Sequence, residues 1–203
     1  MTRLLPGVLA MAAIVVASNI LVQFLAGPWL TWGAFTYPFA FLVTDLANRL
    51  YGPAAARRIV LAGFVVGVAC SLIAAGFDKT TLRIATGSGL AFLSAQLLDV
   101  AVFDRLRRGA WWRAPLVSTV IGSALDTAIF FSIAFWSGLT LFGPAETASA
   151  AWASEPVPLL GLGPVLPLWI SLALADWCIK LGLAALALIP FRLITRRLRT
   201  ELA

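Results

Sequence analysis

The chain has 203 residues, 61% of them hydrophobic and only 12% charged, with a mean hydropathy of +0.96. Soluble domains run at about 45–50% apolar, so this composition excludes a soluble globular protein and points to the membrane. A net charge of +6 and a pI near 10.4 raise the question of nucleic acid, but the basic residues sit in short loops beside apolar runs, with no RNA-binding motif or long basic tract, which excludes that class.

Six apolar stretches follow one another, which predicts an all-α polytopic fold: six transmembrane helices in one domain over residues 1–203. The first, 7–26, has Arg3 ahead of an apolar run and small residues near Ala17, as a signal peptide would. Ser18, Asn19 and Gln23 continue the pattern to Gly27, long enough to span, and the expectation is an uncleaved helix. Asn19 and Gln23 share a face of it.

The second stretch, 33–51, carries Pro38 and Asp45. Together they suggest either a broken or re-entrant helix lining a protein-enclosed cavity or an ordinary proline kink. Asp45 shares a face with Asn48 and with Arg49, and Arg49 is expected to snorkel to the headgroups. The third, 58–77, places Gly63, Gly67, Ser71 and Ala75 at every fourth position. Such a stripe lets another helix approach closely, within the bundle or between subunits, and makes a homodimer one expectation.

The fourth stretch, 84–103, reads Gln96-Leu-Leu-Asp99, a spacing that puts carboxamide and carboxylate on one helix face. The fifth, 114–137, places Ser118, Gly122 and Asp126 on one stripe, so Asp126 faces protein. The segment from Phe142 to Gly163, rich in Ala, Pro and Gly, is expected to lie along the membrane interface. The sixth, 165–190, reads Asp176-Trp-Cys-Ile-Lys180, where a spacing of four lets the two charges neutralise each other. Trp177 beside them either packs or stacks on a flat heterocycle.

Loop charges set the orientation. With a cytoplasmic N-terminus the inner segments carry Arg3, Arg49, Arg57, Arg58, Arg105, Arg107, Arg108, Arg113, Arg192, Arg196, Arg197 and Arg199, and the outer loops only Lys79 and Arg83. That asymmetry predicts both termini in the cytoplasm. Trp29, Trp32, Trp136, Trp152 and Trp169 then fall at the outer interface and Trp111 and Trp112 at the inner one.

Asp45, Asp99, Asp126, Asp176 and Lys180 lie inside spans, where a charge costs about 2.5–3.5 kcal/mol on insertion scales. One reading is helix-to-helix bonding; the other is a polar pocket for a passing solute. Excess carboxylates and amides favour a donor-rich ligand over an anion, and a guanine-like edge with adjacent N–H and NH₂ groups matches one carboxylate. Catalysis finds little support. Histidine is absent, which removes Ser-His-Asp and Cys-His chemistry and the HExxH zinc site. Cys70 and Cys178 each lie inside an apolar run and suggest neither disulfide nor metal. A membrane aspartate dyad lacks a GxGD element.

The stretches Thr31–Gly52 (TWGAFTYPFAFLVTDLANRLYG), Arg83–Arg107 (RIATGSGLAFLSAQLLDVAVFDRLR), Trp111–Trp136 and Ala175–Leu181 (ADWCIKL) closely resemble, in order, the second, fourth, fifth and sixth segments of the queuosine precursor transporter family, also called the vitamin-uptake-like or VUT family. The resemblance implies a six-helix inner-membrane protein, not an enzyme and without a cofactor. It would import 7-cyano-7-deazaguanine, with 7-aminomethyl-7-deazaguanine as a second candidate. The matched polar positions are Asp45, Gln96, Asp99, Ser118, Asp126, Asp176 and Lys180. Asp45, Gln96, Asp99 and Asp126, with Asn19 and Trp177, are then the expected substrate-binding residues, and Asp176 with Lys180 a gating or structural pair. The chain departs from the family at Arg49, where many relatives carry an acid, and at Ala101 and Val102, where some carry a histidine. The alternative function is a substrate-capture subunit of an energy-coupling-factor importer, which needs an ATPase partner because this chain has no P-loop.

Overall fold

The computed structural model describes residues 2–201. Met1, Leu202 and Ala203 lie outside the described residues, as do the side chains of Thr2 and of residues 198–201, Arg199 of the loop charges among them. Helix α1 spans Leu5–Leu21 and stops short of the expected 26. Gly27 takes φ +91° and Pro28 follows, a pair that cannot continue a helix, and Leu25 bridges back to Thr31.

The short α2, Gly33–Thr36, leads through Tyr37 and Pro38 into α3, Phe39–Tyr51. Tyr37 and Pro38 keep right-handed angles. The Ala40 N–H donates to the Tyr37 carbonyl at 2.9 Å, three residues back, where an α-helix would reach four. The second stretch is therefore kinked at Pro38, with no unwound loop. Gly52 at φ +86° then reverses the chain, and Pro53 opens α4, Pro53–Gly76. Proline suits a first helical turn, so α4 starts five residues before the expected 58 and takes up Arg57 and Arg58.

Helix α5, Leu82–Leu106, is N-capped by the Thr81 hydroxyl, which accepts from the Ile84 N–H at 3.2 Å. Helix α6 covers Arg113–Phe135. The segment expected along the interface folds into α7, Pro144–Ser149, a 3₁₀ turn at Ala151–Ser154, and an antiparallel pair, β1 (Pro156–Pro158) with β2 (Val165–Pro167). This hairpin departs from the all-α expectation. Helix α8, Leu168–Glu201, runs straight through Pro190, where the sixth stretch was expected to end.

Four helices, α4, α5, α6 and α8, are long and apolar enough to cross a membrane, and α1 is a shorter apolar helix. Polarity is inverted relative to a soluble protein. Val65, Leu72, Ile73, Leu186 and Ile189 are each more than 60% exposed, while Thr44, Asp45, Asn48, Gln96, Asp99, Ser118 and Lys180 are buried. Only lipid makes that distribution favourable. The short α3 lies at the centre and touches α1, α4, α5, α6 and α8. The Gly63 and Gly67 face is covered by α1. A Cβ on Gly63 would stand 2.5 Å from Met11 Cγ, and one on Gly67 3.4 Å from Val15 Cγ1. The stripe thus packs helices within this chain.

Arg83, expected in a loop, is wholly buried. Its Nε donates to the Ile133 carbonyl at 2.6 Å, which the end of α6 leaves open, and Nη2 to the Trp136 carbonyl, which also takes the Leu139 N–H. Glu146 closes the other end of the clamp by accepting from the Leu82 and Arg83 backbone N–H groups, at 3.2 and 3.1 Å. A little desolvation raises the Glu146 carboxyl, but these donors, the Thr81 hydroxyl and the Arg83 charge outweigh it and hold it below the usual range.

Such a depressed group adds stability that is complete above its ordinary pKa and lost as pH falls through its folded value. Glu146→Gln is therefore expected to lower the melting temperature by about 2 °C at neutral pH, the scale of one exposed cap. The gap from wild type should close on acidification. Parallel melting curves at neutral pH, or a gap that persists in acid, would contradict this assignment.

Candidate functional site

Two buried polar clusters lie along α3 and α6. The first gathers on Lys180. Its Nζ reaches Asp126 Oδ2 at 2.7 Å, Asp176 Oδ2 at 2.5 Å and Thr127 Oγ1 at 3.1 Å, which uses all three ammonium protons. Thr127 passes its own proton to Asp176 at 2.9 Å, and the Tyr37 hydroxyl donates to Asp126 Oδ1 at 2.9 Å. The ammonium also lies 5.5 Å from the centre of the Tyr37 ring. One cation and two acids join α6 to α8 here, Tyr37 adds the link between α2 and α3, and every charged group has a partner.

The second cluster is two helical turns away and has no cation. Ser118 and Thr119 of α6 donate to the two oxygens of Asp45 on α3, each at 3.3 Å. Asp99 of α5 lies against the same stretch of α6, one turn on from Ser118, where a Cβ on Gly122 would stand 3.3 Å from its own Cβ. Neither oxygen of Asp99 has a donor, although the residue is fully buried. Thr44 contacts the Gln96 amide oxygen at 2.6 Å and the Ala40 carbonyl at 3.0 Å. One hydroxyl proton serves one acceptor at a time, so the amide is loosely held. Gln96 Nε2 and Asn48 Oδ1 have no partner, while Asn48 Nδ2 donates to the Val100 carbonyl at 3.0 Å. Buried polar atoms without partners are rare in folded proteins, and four on neighbouring turns point to a ligand's place.

Backbone geometry brings α5 and α6 together at this point. A Cβ on Gly122 would meet the Ala95 carbonyl at 3.2 Å and Asp99 Cβ at 3.3 Å, so glycine lets α6 lie against Asp99. The two clusters also mirror each other. Tyr37, in the link before α3, precedes Asp45 by eight residues, and on α6 Ser118 precedes Asp126 by eight; each segment gives a hydroxyl to the other's acid. A crevice beside Asp45 and Thr119, bordered by Leu42, Pro115, Ala184 and Phe191, has a volume of about 10 Å³, room for one water.

The structure therefore brings Asp45, Gln96 and Asp99 together, and separately Asp126, Asp176 and Lys180. Asp126, grouped by sequence with the substrate-binding acids, is the second counter-ion of Lys180. Asn19 joins neither cluster: its amide donates to Val15 of its own helix at 2.9 Å. Trp177 is half-buried, and its indole N–H has no acceptor among the described residues. Arg49 is half-buried at the end of α3. Its Nη1 donates to the Arg107 carbonyl at 2.6 Å, and its guanidinium lies 5.2 Å from the Phe103 ring centre. Tyr37, Thr44, Thr119 and Thr127 were not singled out by sequence. Thr119 and Thr127 adjoin residues that were, but Tyr37 meets an acid 89 positions away and leaves no local signal.

Residues 31–195, which contain both clusters, match the family described as "Putative vitamin uptake transporter". The chain belongs to this family. Within this transporter family, which is not one of enzymes, it is similar to the "Queuosine precursor transporter" of Escherichia coli (strain K12), with 34% identity over 196 residues, 87% of this chain and 79% of that protein. It is 41% identical over 128 residues to the "Probable queuosine precursor transporter" of Haemophilus influenzae, covering 55% of this chain and 54% of the relative. The protein of the same name from Bacillus subtilis (strain 168) is 33% identical over 128 residues, 52% of this chain and 56% of the relative. No solved structure matches the chain.

Removing one partner of a buried ion pair leaves charge without compensation, at about 3–5 kcal/mol. Lys180→Met should accordingly destabilise the protein severely in detergent, and adding Asp126→Asn should restore part of the loss. A melting curve for Lys180→Met that overlays wild type would show that Lys180 does not hold α6 and α8 together.

Proposed function

We propose that this chain is an inner-membrane importer of a queuosine precursor, with 7-cyano-7-deazaguanine as substrate and 7-aminomethyl-7-deazaguanine as the second candidate. It works as a single domain of six spans, α1, the α2–α3 pair, α4, α5, α6 and α8, with both termini in the cytoplasm. The distribution of arginines supports that orientation, and the similarity to queuosine precursor transporters supports the substrate class.

The observation that carries the reading is Asp99, fully buried with no donor to either oxygen. The pyrimidine edge of a deazaguanine offers a ring N–H and an exocyclic NH₂ side by side, which suit the two oxygens of one carboxylate. The loosely held Gln96 amide suits the neighbouring carbonyl, and Asn48 Oδ1 is a further acceptor. Asp45, held by the Ser118 and Thr119 hydroxyls, is the co-ligand from α3. The Lys180 cluster, already satisfied, serves as the structural pair extended to three charges, and Asn19 has no part in binding. With Gly63 and Gly67 covered by α1, a homodimer would pair through another face of the chain.

A crevice of one-water size does not admit a bicyclic base. Binding therefore requires α8 to part from α3 and α6 along Leu42, Pro115 and Ala184, and the structure corresponds to a closed state of the cycle.

Purified protein is expected to show a saturable thermal shift with 7-cyano-7-deazaguanine, a weak one with guanine, and none after Asp99→Ala. Uptake into proteoliposomes holding this chain alone should follow the same order, with at least a hundredfold loss in Asp99→Ala. Binding without uptake would favour the capture-subunit alternative. No shift with any of these compounds, from protein that unfolds cooperatively, would overturn the substrate.

A further inference from the structure

Four side-chain atoms are buried without a partner on facing turns of α3 and α5: Gln96 Nε2, Asn48 Oδ1 and both oxygens of Asp99. One is a donor and three are acceptors. That ratio depends on which way two amides are turned, and a single bond turns each of them.

Asn48 has no choice. Its Nδ2 donates to the Val100 carbonyl at 3.0 Å, and a carbonyl only accepts, so Oδ1 is the end left over. Gln96 has a choice, because its neighbour Thr44 both donates and accepts. With the Thr44 proton on Gln96 Oε1, 2.6 Å away, Nε2 is the end left without a partner, as in the structure. With that proton on the Ala40 carbonyl, 3.0 Å away, the amide would be free to turn over, donate to the Thr44 oxygen and leave Oε1 over instead. The Gln96 side chain has no other hydrogen-bond partner among the described residues, so the Thr44 hydroxyl alone sets its direction.

The levels are fixed as well. Thr44 meets Gln96 and, one turn further along each helix, Asn48 meets Val100, so α3 and α5 lie in step. Asp99 is on the Gln96 face one turn along, level with Asn48. The interior therefore presents one N–H donor at the Thr44 level and three acceptors at the Asn48 level. The pairing edge of a 2-amino-6-oxopurine is the complement: a carbonyl at one end, then a ring N–H and an NH₂ group, one acceptor with three N–H bonds. Set against that edge, each of the four atoms gains a partner.

We propose that Thr44 sets the specificity of this site: its hydroxyl turns Gln96 so that the interior reads a 2-amino-6-oxo edge and rejects bases with an amine at C6 or none at C2. This rests on the substrate reading given above and adds the rule by which the site chooses among related bases. Thr44 is a positioning residue, since it acts through Gln96 and touches no substrate.

Rejection follows from the groups left unpaired. A 6-amine sets N–H against the Gln96 N–H, donor on donor, and the ring nitrogen beside it turns a lone pair to the Asp99 carboxylate. A base without the 2-amine leaves Asn48 Oδ1 and one oxygen of Asp99 buried without donors. Sites built on such bonds discriminate strongly, because the wrong ligand forfeits its own bond and strands a buried group of the protein.

The test is a thermal-shift titration with three compounds: 7-cyano-7-deazaguanine, its 2-desamino analogue and its 2,6-diamino analogue. Wild-type protein should bind the first at least about a hundredfold more tightly than either analogue. Thr44→Val, with Thr44→Ala as a second form, should narrow the preference over the 2,6-diamino analogue by about tenfold or more and keep the preference over the 2-desamino one. Thr44→Ser, which keeps the hydroxyl, should retain both preferences. Asn48→Ala should narrow the 2-desamino preference instead. Binding weakened equally for all three compounds in both hydroxyl-free variants would make Thr44 a structural residue and overturn the proposal. Wild-type protein that binds 7-cyano-7-deazaguanine without preferring it to the analogues would also overturn it and leave the substrate reading intact. If wild-type protein binds none of the three, the substrate reading itself fails and the proposal falls with it.

Discussion

Inside a bilayer a polar side chain has no water to turn to, so each must find its partner in the protein or remain at a cost. The arrangement of α3, α5, α6 and α8 follows from that constraint. Lys180 gives one proton each to Asp126, Asp176 and Thr127, and Tyr37 completes Asp126 from the link before α3. That link, α6 and α8 are thereby fixed in register by groups that cannot be parted singly. Helix–helix contacts in lipid lack a hydrophobic driving force of their own. A satisfied ionic cluster and close glycine contacts, Gly63 on Met11 and Gly122 on Ala95, supply what burial would supply in water.

Against that closed cluster the other one stands out for what it lacks. Asp45 receives two weak hydroxyl bonds, Asp99 none, and Gln96 and Asn48 each keep one unpartnered atom. Both sets lean on α6, and at both levels α6 and the second apolar stretch exchange a hydroxyl for an acid. The difference is one lysine: Asp126 and Asp176 share it, and the acids of the other set have no such partner among the described residues.

Much of this was legible in the sequence because it depends on helical spacing. Ser118, Gly122 and Asp126 fall on one stripe, Gln96 and Asp99 on one face, and Asp176 lies one turn before Lys180; the structure buries all of these faces. What escaped depends on which helix meets which. Spacing showed Asp176 as the lysine's partner but could not show Asp126, which comes from another helix. It placed Arg83 in a loop because a charge at a span boundary usually faces water. The carbonyls at Ile133 and Trp136, which draw it inward, lie some fifty residues away. Asn19 looked like a site residue because an amide in an apolar run is conspicuous, yet a carbonyl of its own helix was enough to satisfy it. The early end of α1 and the early start of α4 both turn on glycine–proline pairs, Gly27-Pro28 and Gly52-Pro53, whose backbone demands outweigh the hydropathy running past them.

The two interior-directed arginines have a mechanical meaning. Arg83 ties the start of α5 to the end of α6, and Arg49 ties the end of α3 to the end of α5. Each spans a junction at an opposite end of the same long helix, so α3, α5 and α6 are riveted top and bottom and behave as a frame. Helix α8, the most lipid-exposed of the four long spans, meets that frame at two levels three turns apart. One is Lys180; the other is Phe191, which packs on Phe103 and lies 5.9 Å from the Arg49 guanidinium. Between these two fixings only small and aliphatic side chains, Ala184, Ala187 and Leu188, separate the crevice beside Asp45 from the lipid face of the helix, so its wall there is thin and held by neither a charge nor a hydrogen bond of its own among the described residues.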